Sequence, residues 1–315
     1  MESVTAGIPG KAGGPKAVKI GLLGGTGLLG RAFSRVARSA GHHLDAPSRG
    51  QLDIVDAGAV DRWVRTSRSD VYVNCAAFTA VDLAEIDRSS AFAANAEGPG
   101  NLARSVERSG SRMVHISTDF VFDGLKGEPY VESDLPSPIN TYGESKLGGE
   151  QRCLDACTRL RILRAGWLFS DSGGSFVRTV LLRALHGEDL AVVDDQVGGP
   201  TDASQLAQCL LLFCETDFDD AHVVHIPSEP YVSWFEFAKC VVESAHRQNL
   251  IPNLPQVRAI TSDQLGLAAR RPRDSRLAST RLQKMSECRP LDWRRNLARV
   301  VAFLVSRDSF QEGVS

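Results

Sequence analysis

A tyrosine, Tyr142, stands four residues before a lysine, Lys146, and a threonine, Thr118, closes an apolar run upstream of both. On a helix, residues four apart share one face. A phenol of ordinary pKa, about 10, keeps its proton at neutral pH. A lysine cation one turn away, with the positive ring of an oxidised nicotinamide, lowers that pKa and eases proton transfer. The Thr118 hydroxyl suits a hydrogen bond that holds a carbonyl oxygen beside the phenol. The set fits delivery of a proton to an oxygen that gains charge as a carbonyl is reduced. Reduction also needs a hydride, so the same chain must hold a nicotinamide dinucleotide.

The segment Gly24-Gly25-Thr26-Gly27-Leu28-Leu29-Gly30 supplies a place for one. It follows a short apolar run, 18–23, and opens a stretch of helical periodicity, 28–40, with Gly41 where a C-terminal glycine belongs. Strand, glycine turn and helix in that order set a pyrophosphate at a helix N-terminus. Gly24 makes the tight turn, Gly27 admits the diphosphate, and Gly30 lets helix and strand pack closely. The spacing is GxxGxxG, with Thr26, Leu28 and Leu29 between the key glycines. After the next strand come Ser48 and Arg49, where NAD enzymes often carry an acid for the ribose hydroxyls. A hydroxyl and a guanidinium suit a 2′-phosphate, which favours NADPH and leaves NADH as the alternative; a solvated surface arginine is the other reading. Asp53, followed by Ile54, is placed either to reach the adenine amino group or to cap the next helix.

These residues need a frame. Segments 43–47, 71–75, 113–117 and 161–165 read as short strands, and 57–66, 90–109 and 144–157 as helices. The alternation predicts a Rossmann-type, doubly wound α/β fold, its parallel sheet covered on both faces. The later chain is less regular. Proline-containing pieces at 128–138, 198–201, 227–230 and 251–255 are interleaved with helical stretches at 204–214 and 233–246. Such segments are places for substrate loops. The expected division is a flexible tail at 1–16 and a dinucleotide-binding domain at 17–170, rejoined by 203–226. A smaller C-terminal α/β substrate-binding domain takes 171–202 and 227–306, and 307–315 form a second tail.

Composition agrees with a globular enzyme: 315 residues, 43% hydrophobic and 23% charged. A net charge of −2 argues against general attraction to nucleic acid or anionic membranes. No run approaches the roughly 20 apolar residues of a membrane span, and the first residues lack the apolar stretch of a signal peptide. A cytoplasmic protein with no membrane partner is expected. The seven cysteines, Cys75, Cys153, Cys157, Cys209, Cys214, Cys240 and Cys288, are odd in number and scattered. They form no CxxC pair and no zinc spacing, so free thiols and no metal site are expected. His222 and His225 lack a third ligand and read as structural.

Five stretches carry a resemblance: NCAAFTAVDLAE at 74–85, HISTDFVFDG at 115–124, YGESKLGGE at 142–150, VDDQVGGPT at 193–201 and RPRDSRL at 271–277. With the glycine loop they resemble the extended short-chain dehydrogenase/reductase superfamily and, within it, the dTDP-4-dehydrorhamnose reductase family, from about residue 18 to 304. That family reduces the 4-keto group of a dTDP-activated 6-deoxyhexose. The resemblance therefore implies an NAD(P)H-dependent nucleotide-sugar 4-ketoreductase of deoxysugar biosynthesis. It implies Tyr142 as proton donor, Lys146 as its partner and a ribose ligand, and Thr118 and Asp119 at the sugar. It implies Trp167 packed on the sugar, and Ala76, Ala77 and Phe78 along the central part of the cofactor. Asn95 is similar to a structural and proton-relay asparagine of the superfamily, or is a helix-end polar residue. Arg273 belongs, with Arg270, Arg271 and Arg276, to a basic cluster that is either a solvated charge run or a clamp for the substrate diphosphate. A homodimer is the family-level expectation.

The departures are informative. Where the family usually reads Arg-Thr-Ser-Trp-Val-Tyr, this chain reads Arg164-Ala165-Gly166-Trp167-Leu168-Phe169. Two hydroxyls near the sugar are lost, which makes a different 4-keto sugar, as in an antibiotic-sugar pathway, an alternative substrate. Related dehydratases carry an acid after the Thr-Asp pair; Phe120 stands there, so elimination or epimerisation is disfavoured. A further alternative is an NADP-binding regulatory subunit resembling the methionine adenosyltransferase beta subunit.

Overall fold

The computed structural model describes residues 17–284 and 289–306; the tails expected at 1–16 and 307–315, and Cys288, lie outside the described residues. The first half runs β1 (Lys19–Leu23), α1 (Leu28–Ser39), β2 (His43–Asp45), α2 (Ala57–Ser67), β3 (Val71–Asn74), α3 (Val81–Ile86), α4 (Arg88–Phe92), α5 (Gly98–Ser109), β4 (Arg112–Thr118), α6 (Thr141–Ala156) and β5 (Leu160–Ala165). Next come β6 (Leu168–Phe169), α7 (Phe176–Leu185), β7 (Leu190–Val193), β8 (Val197–Gly198), β9 (Thr201–Asp202), α8 (Ala203–Glu215) and β10 (Ala221–His225). The chain continues through β11 (Ser228–Glu229), β12 (Val232–Ser233), α9 (Trp234–Arg247), β13 (Val257–Ile260), α10 (Ser262–Leu265), β14 (Leu291–Asp292) and α11 (Arg294–Ser306).

Six strands form one sheet in the order β10-β5-β4-β3-β1-β2, every pair parallel. All four side chains of β3 are buried, as a strand covered on both faces requires. α1 and α8 cover one face over Phe33, Leu206, Leu210 and Phe213. α2, α5 and α6 cover the other over Leu102, Met113 and Leu160. Each such side chain contributes about 1.5–3 kcal/mol by leaving water. The doubly wound fold is thus present. β2 and β3 flank β1 on opposite sides, so the connections diverge there and a crevice opens at the carboxyl ends of the strands.

The remaining elements build a second core. α7, α9 and α11 close over Phe169, Val177, Phe237, Trp293 and Val300. Short strand pairs join it: β7 with β13, β8 with β12, β6 with β9 and β11 with β14. α9 begins with a capping box between Ser233 and Glu236. No helix among the described residues is long and apolar enough to cross a membrane. The six described cysteines are free.

Candidate functional site

The crevice between β1 and β3 holds about 200 Å³. Gly24 has φ +77°, and a Cβ there would lie 2.4 Å from the Ala76 backbone nitrogen. A Cβ on Gly30 would lie 2.1 Å from the Gly24 carbonyl oxygen. Only glycines let the turn and helix approach this closely. α1 starts after Gly27 with no side-chain cap, so its first N–H groups have no intrahelical acceptor. That donor set suits a pyrophosphate. The residues fit a dinucleotide.

Gly24, Thr26 and Gly27 line the crevice, as do Arg49, Asp53, Ile54, Ala76 and Ala77. Arg49 is exposed and makes no ion pair among the described residues. Asp53 does not cap α2; Asp56 does, and Asp53 Oδ1 instead accepts the Val55 N–H at 3.0 Å. Other candidates lie off the wall. Leu29 is buried in the core under α1 and Leu28 packs against that core. The Ser48 hydroxyl donates to Gln51 Oε1 at 2.9 Å. Phe78 is held by Asn95, which accepts its N–H at 2.7 Å and donates to its carbonyl at 3.0 Å. Asn95 also donates to Ser145 Oγ at 2.9 Å, tying the loop after β3 to α6. Leu23 and Gly25 also line the crevice, and Pro47, Leu52, Cys75 and Ala94 complete it unanticipated. Ala94 and Asn95 sit in a π turn, Ala93–Glu97, between α4 and α5. Period alone reads this stretch as one helix.

Tyr142 and Lys146 both lie on α6, which starts earlier than helical period alone suggests. The cap is Asn140, whose side chain accepts the Gly143 N–H at 2.7 Å. Burial pushes the Tyr142 phenol up to about 12, opposed by the neighbouring Thr118 hydroxyl. The expected lowering by Lys146 is therefore absent in this state. Lys146 is 2% exposed, and its Nζ donates to the Ile116 carbonyl at 2.6 Å. Burial brings Lys146 down to about 8, with Glu150 opposing. A phenol that holds its proton firmly is still a competent donor to an alkoxide, which binds a proton more strongly. Among the described residues, three buried polar atoms have no partner, His115 Nε2, Ser117 Oγ and Asp119 Oδ2, on alternate residues along β4 and just after it. Unsatisfied buried groups each cost about 1–3 kcal/mol; of the three, Asp119 acts on Tyr142 and His115 lies near Lys146, which marks this end of the sheet as a candidate working site.

A second cavity of about 270 Å³ runs along α7 and β7. Phe120, Phe176, Val193, Trp234 and Arg271 are on its wall. Phe120 meets Tyr142 edge to face, centroids 5.9 Å apart, so one residue of the groove wall touches the candidate donor. Trp167 is not on the wall. It stacks flat on Trp234 at 3.6 Å and donates through Nε1 to Ser275 Oγ at 3.2 Å. A Cβ on Gly198 would lie 2.5 Å from the indole. Trp167 is thus a buried backing, and the half-buried Trp234 presents its ring to the groove. Arg273 is exposed, and its carbonyl accepts the Val197 N–H. Arg271 reaches the groove instead, held by Asp82 at 2.6 Å. Arg276 is paired with Asp274 at 2.6 Å. Of these arginines only Arg271 lines the groove, which sequence spacing does not reveal.

Asp119 is buried under Gly166, and burial pushes its carboxyl from 3.8 up to about 6, against the Ser275 and Thr118 hydroxyls. A raised folded pKa destabilises the fold wherever the group is ionised. The cost is absent below about pH 4 and complete above about 6, reaching about 3 kcal/mol for some two pK units. Asp119→Asn is accordingly expected to raise Tm at pH 7.5 and to leave it unchanged at pH 4. Thermal denaturation at the two pH values checks this; an equal shift at both contradicts it.

With this geometry in place, comparison with known proteins is consistent throughout. The family model described as the RmlD substrate binding domain matches residues 18–305. The chain is similar to dTDP-4-dehydrorhamnose reductase of Aggregatibacter actinomycetemcomitans, 35% identical over 90% of this chain and 98% of that one. It is similar to the Mycobacterium tuberculosis protein of the same name, at 37% identity over 89% of this chain and 91% of that one. Among solved structures it matches dTDP-4-dehydrorhamnose reductase from Bacillus anthracis in complex with NADP, with TM-score 0.85 and 30% identity, covering 91% of this chain and 99% of that one. On the family match along nearly its whole described length, the chain belongs to the RmlD family.

Proposed function

We propose that this protein reduces the 4-keto group of a dTDP-4-dehydro-6-deoxyhexose with NADPH, in cytoplasmic deoxysugar biosynthesis. The observation that carries the reading is the placement of Tyr142 beside Thr118, with its ring edge to face against Phe120 on the groove wall. Residues 17–170 and 203–226 hold the cofactor, and 171–202 with 227–306 hold the sugar nucleotide. Bound in the crevice, the cofactor supplies a hydride to the carbonyl carbon. Tyr142 gives its phenolic proton to the oxygen as that carbon is reduced, and the Thr118 hydroxyl holds the oxygen in line. The Lys146 ammonium stabilises the phenolate left behind. Trp234 and Phe176 offer aromatic faces to the base or sugar. Arg271 offers a guanidinium to the diphosphate. Phe120 packs an aromatic edge against the donor where the related dehydratases carry an acid after the Thr-Asp pair, which disfavours elimination.

The test is turnover: purified protein, dTDP-4-dehydro-L-rhamnose and NADPH, followed by loss of reduced-nicotinamide absorbance. Oxidation that depends on the sugar nucleotide is the expected result. NADPH binding without oxidation would contradict the reading and favour a regulatory, cofactor-binding role. Arg49 provides a separate check on the cofactor. Its guanidinium lines the crevice and suits a 2′-phosphate, and an exposed charge-assisted bond of this kind contributes about 1.4 kcal/mol, or tenfold. Arg49→Ala is expected to raise the KM for NADPH about tenfold and to leave that for NADH unchanged, as initial rates with each cofactor will show.

A further inference from the structure

Thr118 has one proton to donate, and it gives it to Asp119. Thr118 Oγ1 donates to Asp119 Oδ1 at 3.0 Å and accepts the Phe120 N–H at 3.2 Å. A hydroxyl has one donor and two acceptor positions, and an ionised carboxylate can only accept. While Asp119 is ionised, the Thr118 proton is committed to it and none is left for a substrate carbonyl. Once Asp119 carries a proton, its own O–H can donate to Thr118. The Thr118 hydrogen is then released toward the substrate, whose oxygen also receives the Tyr142 phenol.

Burial makes that protonated form more accessible than for an exposed carboxyl, with the Ser275 and Thr118 hydroxyls opposing. Asp119 is 2% exposed and its Oδ2 has no partner. The groups around it come from five directions: Tyr142 on α6, Tyr231 before β12, Ser275 after the arginine run, Thr201 on β9 and Ser228 on β11. All are neutral at physiological pH, and no lysine or arginine is among them. The Tyr231 hydroxyl is already spent on the Leu277 carbonyl at 2.6 Å. Gly166 makes the room: a Cβ there would lie 2.4 Å from Asp119 Oδ2.

We propose that Asp119 is a positioning residue whose protonation turns the Thr118 hydroxyl from the carboxylate to the substrate carbonyl, in a space that Gly166 leaves open. The inference rests on the reductase reading. Burial pushes Asp119 up to about 6, so turnover falls as pH rises through that value. Lys146, at about 8, stays largely charged below pH 7.5 and does not produce this limb.

The experiment is kcat for NADPH oxidation at saturating keto-sugar from pH 5.5 to 7.5, for the wild type and Asp119→Asn. The wild-type kcat is expected to drop about twentyfold across this window, as a single titration near 6 dictates. The Asn amide donates to Thr118 at every pH, so the variant's kcat should change by no more than about twofold over the same range. Infrared difference titration, wild type minus Asp119→Asn, reads the carboxyl without turnover; a protonated-acid band that disappears near pH 6 is expected. A flat wild-type profile, superposed profiles for the two proteins, or no titrating band would overturn the inference while leaving the reductase reading standing. No turnover by the wild type at any pH would overturn both.

Discussion

Tyr142→Phe is expected to lower kcat by about 10³-fold, within the usual span for loss of a general acid. The substitution removes one oxygen and keeps the ring, so the edge contact with Phe120 on the groove wall persists. Lys146 stays anchored on the Ile116 carbonyl, and the glycine turn is untouched. NADPH affinity should therefore stay within about twofold, since the lost hydroxyl acts on the transition state and not on ground-state binding. Steady-state kinetics beside a fluorescence titration of NADPH separates the two effects. A loss below about tenfold would mean the proton comes from elsewhere; a parallel loss of NADPH binding would mean Tyr142 only shapes the crevice.

Glu150→Ala is expected to destabilise the protein by about 3–5 kcal/mol, the cost of leaving one member of a buried ion pair alone. Glu150 and Arg164 are both buried, and two parallel bonds join them, Nε to Oε1 at 2.8 Å and Nη2 to Oε2 at 2.5 Å. The pair ties α6 to β5. Arg164 also lies over the Phe122 ring and within 3.3 Å of His225 Nε2 on β10. His225 brings little relief: burial and the Arg164 charge depress its pKa to about 4, so it is neutral at pH 7. Thermal denaturation should show Tm lower by about 10 °C. The paired replacement Glu150→Leu with Arg164→Met should recover most of the loss, because the uncompensated charge is gone. A single variant that melts with the wild type would show that Arg164 finds another anion. The same side chain bears on chemistry, since Glu150 lies one turn beyond Lys146 and opposes the burial that weakens that ammonium.

Local patterns located much of the site. The glycine turn, the strand before it and α1 are visible because close approach of backbone to backbone requires glycine at set positions. Tyr142 and Lys146 are visible because four residues make one helical turn. The start of α6 is signalled by Asn140, a capping residue, but a tyrosine and a glycine in its first turn obscure the apolar period. Other features depend on tertiary packing that a linear pattern does not carry. Trp167 was placed at the sugar by resemblance, yet Trp234, from a distant segment, covers it and takes the groove. Arg271 and Arg273 are equivalent as spacing, and only the ion pair with Asp82 selects the first. The raised pKa of Asp119 is a consequence of burial, and the room beside it of the missing side chain at Gly166, neither of which motif spacing expresses. The second core was also faint in sequence, because α7 and α11 have short periods broken by charged residues.

The most direct test follows the hydride itself. Wild-type protein would be given dTDP-4-dehydro-L-rhamnose with NADPH deuterated at the transferable position of the nicotinamide C4, and the sugar product examined by NMR and mass spectrometry. The account predicts one deuterium at sugar C4, and its loss from the product pool when Tyr142→Phe replaces the wild type. Unchanged cofactor, or a product carrying no deuterium at C4, would contradict it.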